Sequence, residues 1–127
     1  MGYWKKQVWM EAAGMCEKSE LQTILKKVTS ASVQLYGKRL NKIILYGSYA
    51  RGDYTDESDI DIMIVLNCEP GEIKKLRKQT AEMTSDISLE QEVLLSVLLR
   101  DKKHFEDNLD FLPFYKNILK EGVMVYG

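Results

Sequence analysis

The sequence predicts a mixed α/β (α+β) domain, a small mixed sheet of three to five strands flanked by helices. Two observations point there. Lys42-Ile43-Ile44-Leu45-Tyr46 and Ile60 to Leu66 are apolar runs of strand length. Longer segments before and after them repeat apolar residues at helical spacing. The 127 residues suffice for one domain with a modest core.

Ser19 can cap a helix running to about Tyr36, with Leu21, Ile24, Leu25, Val28 and Leu35 as its buried stripe. Gly37 ends it. The strand at 42–46 is continuously apolar, as a strand buried on both faces is. Gly47-Ser48 then turns the chain, and residues 49–52 form the first turn of a short helix. Residues 52–58 are polar and turn-rich. The second strand runs from Ile60 to Leu66 and ends at Asn67-Cys68-Glu69-Pro70-Gly71.

A second long helix is expected from Glu72 to about Ser88, with Ile73, Leu76, Thr80, Met83 and Ile87 near one face. Glu92 to Leu99 fits helix or strand, and periodicity alone does not separate them. Residues 101–111 read as charged and loop-like, with room for one helical turn. Asp110 and Pro113 stand where a cap and first turn would be, 114–121 continues that helix, and Gly122 stops it. Val123 to Tyr126 can add a short edge strand. Residues 1–18 are read as an N-terminal helical extension carrying Trp4 and Trp9, and residues 19–127 as the domain proper.

Composition narrows the function. The net charge of −1 offers no strong field for nucleic acid, so action on long duplexes is disfavoured. Cys16 and Cys68 form no C-x-x-C pair, which argues against zinc and for reduced thiols. His104 lies among charged residues and reads as a surface histidine. No apolar run reaches the roughly 18 residues needed to span a membrane. The N-terminus lacks the continuous apolar segment of a signal peptide. A cytoplasmic location is therefore expected.

Chemistry concentrates between positions 47 and 61. Asp59 and Asp61 are two apart, so a strand places both side chains on one face and Ile60, Ile62 and Ile64 on the other. Adjacent carboxylates repel and raise each other's pKa. A divalent cation, which takes oxygen ligands, relieves that repulsion. Gly47, lacking a Cβ, lets backbone N–H groups at a helix start approach a phosphate. A phosphate cradle beside paired carboxylates suits metal-assisted nucleotidyl transfer.

Gly47-Ser48, Ala50-Arg51-Gly52 and Ser58-Asp59-Ile60-Asp61 resemble the Gly-Ser…Asp-x-Asp signature of the DNA polymerase beta-like nucleotidyltransferases. The form with Ala-Arg-Gly after the serine is similar to the minimal nucleotidyltransferase (MNT) group, of MntA-like antitoxin type. The likeness runs from about Leu40 to the C-terminus. It implies the nucleotidyltransferase fold, and a strand at 92–99 that brings a third carboxylate beside the Asp pair. Glu92 is the residue that matches, sharing its strand face with Leu94 and Ser96, and Asp86 and Glu90 compete with it. The family more often has Asp at this point.

The implied reaction moves a nucleoside monophosphate, AMP by family habit, from ATP or another NTP to a hydroxyl. Asp59, Asp61 and Glu92 would hold two Mg²⁺ ions. Gly47 and Ser48 would bind phosphate. Glu92 or Asp61 would serve as general base. Arg51 either reaches phosphate or pairs with Asp53 or Asp56, and Ser58 either contacts phosphate or shapes its turn. The acceptor implied by the resemblance is a protein, such as a HEPN-type toxin. A small molecule of aminoglycoside type is the alternative enzyme reading. An antitoxin acting by contact alone is the non-catalytic one. A homo- or hetero-oligomer fits any of the three.

Overall fold

The computed structural model describes residues 16–127. Expectations for Trp4, Trp9 and their neighbours lie outside the described residues. The order is α1 (Cys16–Tyr36), a 3₁₀ turn (Gly37–Arg39), β1 (Leu40–Tyr46), α2 (Ser48–Arg51), β2 (Ile60–Leu66) and α3 (Pro70–Gln91). β3 (Leu95–Asp101), α4 (Lys102–Asp107), α5 (Pro113–Glu121) and β4 (Val123–Tyr126) follow.

The four strands form one sheet in the order β3-β2-β1-β4. β1 is antiparallel to both β2 and β4, while β2 and β3 run parallel. The crossover between the parallel strands is α3, as parallel pairing requires. The mixed sheet and its flanking helices are those predicted.

Both faces of the central strands are buried. On one face Ile43, Leu45, Ile60, Ile62 and Ile64 pack with residues of α1 and α3, including Leu25, Val28 and Leu76. On the other, Ile44, Met63 and Val65 pack with Phe105, Tyr115 and Ile118. Each such aliphatic side chain contributes about 1.5–3 kcal/mol by leaving water. Tyr36 and Thr80 tie α1 to α3 inside the first layer, 2.6 Å apart. Thr80 spends its own proton on the Leu76 carbonyl, 2.8 Å away, so the Tyr36 hydroxyl is the donor between them.

Several boundaries differ from the sequence reading. α1 is already helical at Cys16, so Ser19 lies inside it and is no cap. Tyr36 is buried at its C-terminal end, where Leu35 only packs at the margin of the core. α3 begins two residues early, at Pro70, because Glu69 and Glu72 close its N-terminus: the Glu69 N–H donates to the Glu72 carboxylate at 3.2 Å. It buries all five predicted positions but continues to Gln91. The strand expected at 92–99 therefore starts only at Leu95. Asp101 caps α4 by accepting from the His104 N–H at 2.9 Å, where only a helical turn was expected. Leu112, not Asp110, precedes the first turn of α5. β4 is an edge strand, as expected. No helix among the described residues is long and apolar enough to cross a membrane.

Candidate active site

Gly47 stands between the end of β1 and the start of α2. Its φ of +75° is a conformation that side chains rarely adopt. A Cβ built there would also collide with the Asp61 carboxylate. Glycine is thus required twice over, by its backbone angle and by its neighbour. The Gly47 carbonyl accepts from the N–H groups of Ala50 and Arg51, each at 3.1 Å, and so closes the short helix α2. Gly52, at φ +88°, ends it. Half-buried Ser48 opens that helix.

Asp61 lies opposite Tyr46 in the β1–β2 register. Its pKa is raised, first by burial, then by the charge of Asp59, with Arg51 pulling the other way. Asp59 is exposed, just before β2 begins. Ile60, Ile62 and Ile64 occupy the α1–α3 layer, as the two-residue spacing of the carboxylates predicts. Tyr46 was missed by the sequence reading. Burial, then Asp61, push its phenol up to about 12, against Arg100. It was visible only as the last residue of an apolar run.

The loop between α2 and β2 is internally braced. The rings of Tyr49 and Tyr54 stack with centroids 4.2 Å apart. The Ser58 hydroxyl accepts from the Thr55 N–H at 2.9 Å, so of its two expected roles the turn-shaping one is visible. Arg51 donates to Asp53 at 3.2 Å and to Glu121 of α5 at 3.5 Å. Asp53 is one of the partners the sequence leaves open; Glu121, seventy positions away, carried no sequence signal.

Glu92 is not on a strand. It is the exposed C-cap of α3, with φ +55° and its N–H donating to the Ser88 carbonyl. It borders a cleft of about 350 Å³ with Tyr49, Asp56, Ser58 and Leu94, and neither Asp59 nor Asp61 lines that cleft. Of its competitors, Glu90 is paired with Lys27 at 3.3 Å and Asp86 is exposed on α3. The residue opposite Asp61 on β3 is Ser96. Among the described residues no three His, Cys, Asp or Glu side chains group as a metal site.

A family described as the nucleotidyltransferase domain matches residues 23–125. The chain belongs to this family. The nucleotidyltransferase is 33% identical over 102 residues to a Methanocaldococcus jannaschii protein provisionally named a protein adenylyltransferase, spanning 80% of this chain and 94% of the relative. A second protein of that organism, with the same provisional name, is 34% identical over 83 residues, or 65% of this chain and 82% of its own length. Among solved structures, a toxin–antitoxin with AMP-PNP superposes with a TM-score of 0.50 at 19% identity, covering 81% of this chain and 73% of the other. A mutant of the toxin–antitoxin MntA-HpeT gives 0.51 at 16%, with the same coverage. At these identities the two structures share the fold with the nucleotidyltransferase.

Proposed function

We propose that this nucleotidyltransferase moves AMP from ATP to a hydroxyl on a protein partner, a HEPN-type toxin, and so acts as its antitoxin. The observation that carries the reading is Asp61, pressed against Gly47 at the mouth of α2 and under the charge of Asp59. Two carboxylates whose charges oppose each other, one of them partly buried, suit a divalent cation with oxygen ligands. Asp59 and Asp61 would hold Mg²⁺. When bound, the ion neutralises charge on the triphosphate and the leaving pyrophosphate.

The chain's own residues do the rest. Gly47 leaves room for the Asp61 carboxylate at the start of α2, and Ser48 offers phosphate a hydroxyl and backbone N–H. Arg51, exposed and only loosely paired, can turn from Asp53 to the triphosphate. The acceptor oxygen bonds to the α-phosphorus as the α–β P–O bond breaks, and pyrophosphate leaves with the electron pair. The acceptor's proton passes to an Oδ of Asp61.

A protein acceptor is favoured by the surroundings of Tyr46. Phe114 meets its ring edge-on at 5.6 Å. Phe114 is 42% exposed, and Leu112 and Phe111 beside it are 41% and 75% exposed. This apolar rim starts one strand pair from Asp61 and suits a polypeptide better than a polycationic aminoglycoside.

Label transfer tests the proposal. The protein is incubated with α-phosphate-labelled ATP, Mg²⁺ and lysate of its source cell, beside Asp61→Asn. A Mg²⁺-dependent labelled protein, lost in the variant, is expected. Labelled small molecules without a labelled protein would overturn the protein-acceptor reading. Antitoxin function that survives Asp61→Asn would refute catalysis as its basis.

A further inference from the structure

We propose that the site holds one divalent cation, not two, because the β3 residue paired with Asp61 is Ser96, which brings no third carboxylate. The inference rests on the reading of Asp59 and Asp61 as cation ligands. Its ground is the parallel register, which sets Ser96 directly opposite Asp61. Leu94, just before β3, accepts from the Ile60 N–H through its carbonyl at 2.8 Å and leaves its side chain 66% exposed. On the other flank Asp61 meets Tyr46 and Gly47. Neither flank adds a carboxylate.

Among the described residues, the nearby acids are placed elsewhere. Asp53 and Glu121 engage Arg51. Asp56 and Glu92 border the cleft that neither Asp59 nor Asp61 lines. Magnesium is commonly held by one or two carboxylates together with substrate phosphates, a set that Asp59, Asp61 and a triphosphate complete. A second ion about 3.5–4 Å away needs further anionic ligands. The neutral Ser96 hydroxyl does not supply one.

Crystals of the wild-type protein grown with Mn²⁺ and AMP-PNP, imaged by anomalous scattering, count the ions directly. One peak at Asp59 and Asp61 is expected, and Ser96→Asp should add a second while Glu92→Gln leaves the count at one. Two peaks in the wild type overturn the inference whether or not Ser96→Asp folds. A fall from two to one in Glu92→Gln would name Glu92 as the missing ligand. AMP-PNP in place with no peak would overturn the inference and the cation role of Asp59 and Asp61 together. Failure of AMP-PNP to bind would instead overturn the nucleotide reading.

Discussion

Gly47 and Asp61 are in contact across the β1–β2 pair, and the absence of a side chain on one makes room for the carboxylate of the other. Gly47→Ala must therefore displace Asp61 and also force alanine to φ +75°. A residue held in such a conformation costs about 1–3 kcal/mol. A displacement near 1 Å at a reacting group costs about 100-fold in rate. Denaturant unfolding and label transfer should show both losses. Full activity in Gly47→Ala would mean that Asp61 does not need its present position.

Asp61 should be a stability liability in the ion-free protein. Burial, then Asp59, raise its pKa, against the pull of Arg51. The folded state consequently binds the proton more tightly than the unfolded state. The stabilisation is fully present below the unfolded carboxylate range and is lost as pH rises through the folded value. Asp61→Asn should melt higher than wild type at neutral pH without Mg²⁺, and the gap should close in acid. Thermal unfolding across pH checks this, and a lower melting temperature at neutral pH would refute it.

Arg51 separates two roles that its sequence position leaves open. Its partners Asp53 and Glu121 are both ordinary surface contacts. Exposed pairs of this kind give way readily to a stronger anion. Arg51→Gln should weaken ATP binding, measured by calorimetry, while Asp53→Asn and Glu121→Gln should not. Equal weakening in all three would assign Arg51 to bracing the loop.

The rim beyond Tyr46 predicts a split in the kinetics. Phe111→Ser should lower kcat/KM for the protein acceptor by about tenfold, the loss of a modest anchor. The KM for ATP should stay as it was, since Phe111 is 75% exposed and outside the Gly47–Asp61 contact. A matching rise in the ATP KM would place the rim at the nucleotide instead.

The Tyr36–Thr80 hydrogen bond offers a control far from this chemistry. Tyr36→Phe removes the donor from a buried pair and should cost about 1 kcal/mol in unfolding free energy. Label transfer should be unchanged.

Sequence alone determined what short-range periodicity controls. The two-residue spacing of Asp59 and Asp61 put Ile60, Ile62 and Ile64 in the opposite layer. The helical spacing of Ile73, Leu76, Thr80, Met83 and Ile87 named the buried face of α3. Gly47 was marked for a backbone approach to phosphate, and its contact with Asp61 carried no signal. Tertiary structure decided where α3 stops and what stands beside Asp61. The helix runs to Gln91, removes Glu92 from the strand and sets Ser96 opposite Asp61. Faces follow from local backbone geometry, one residue to the next. The register of two parallel strands joined by a 22-residue helix follows from how that helix packs on the sheet, and that is a property of the whole core.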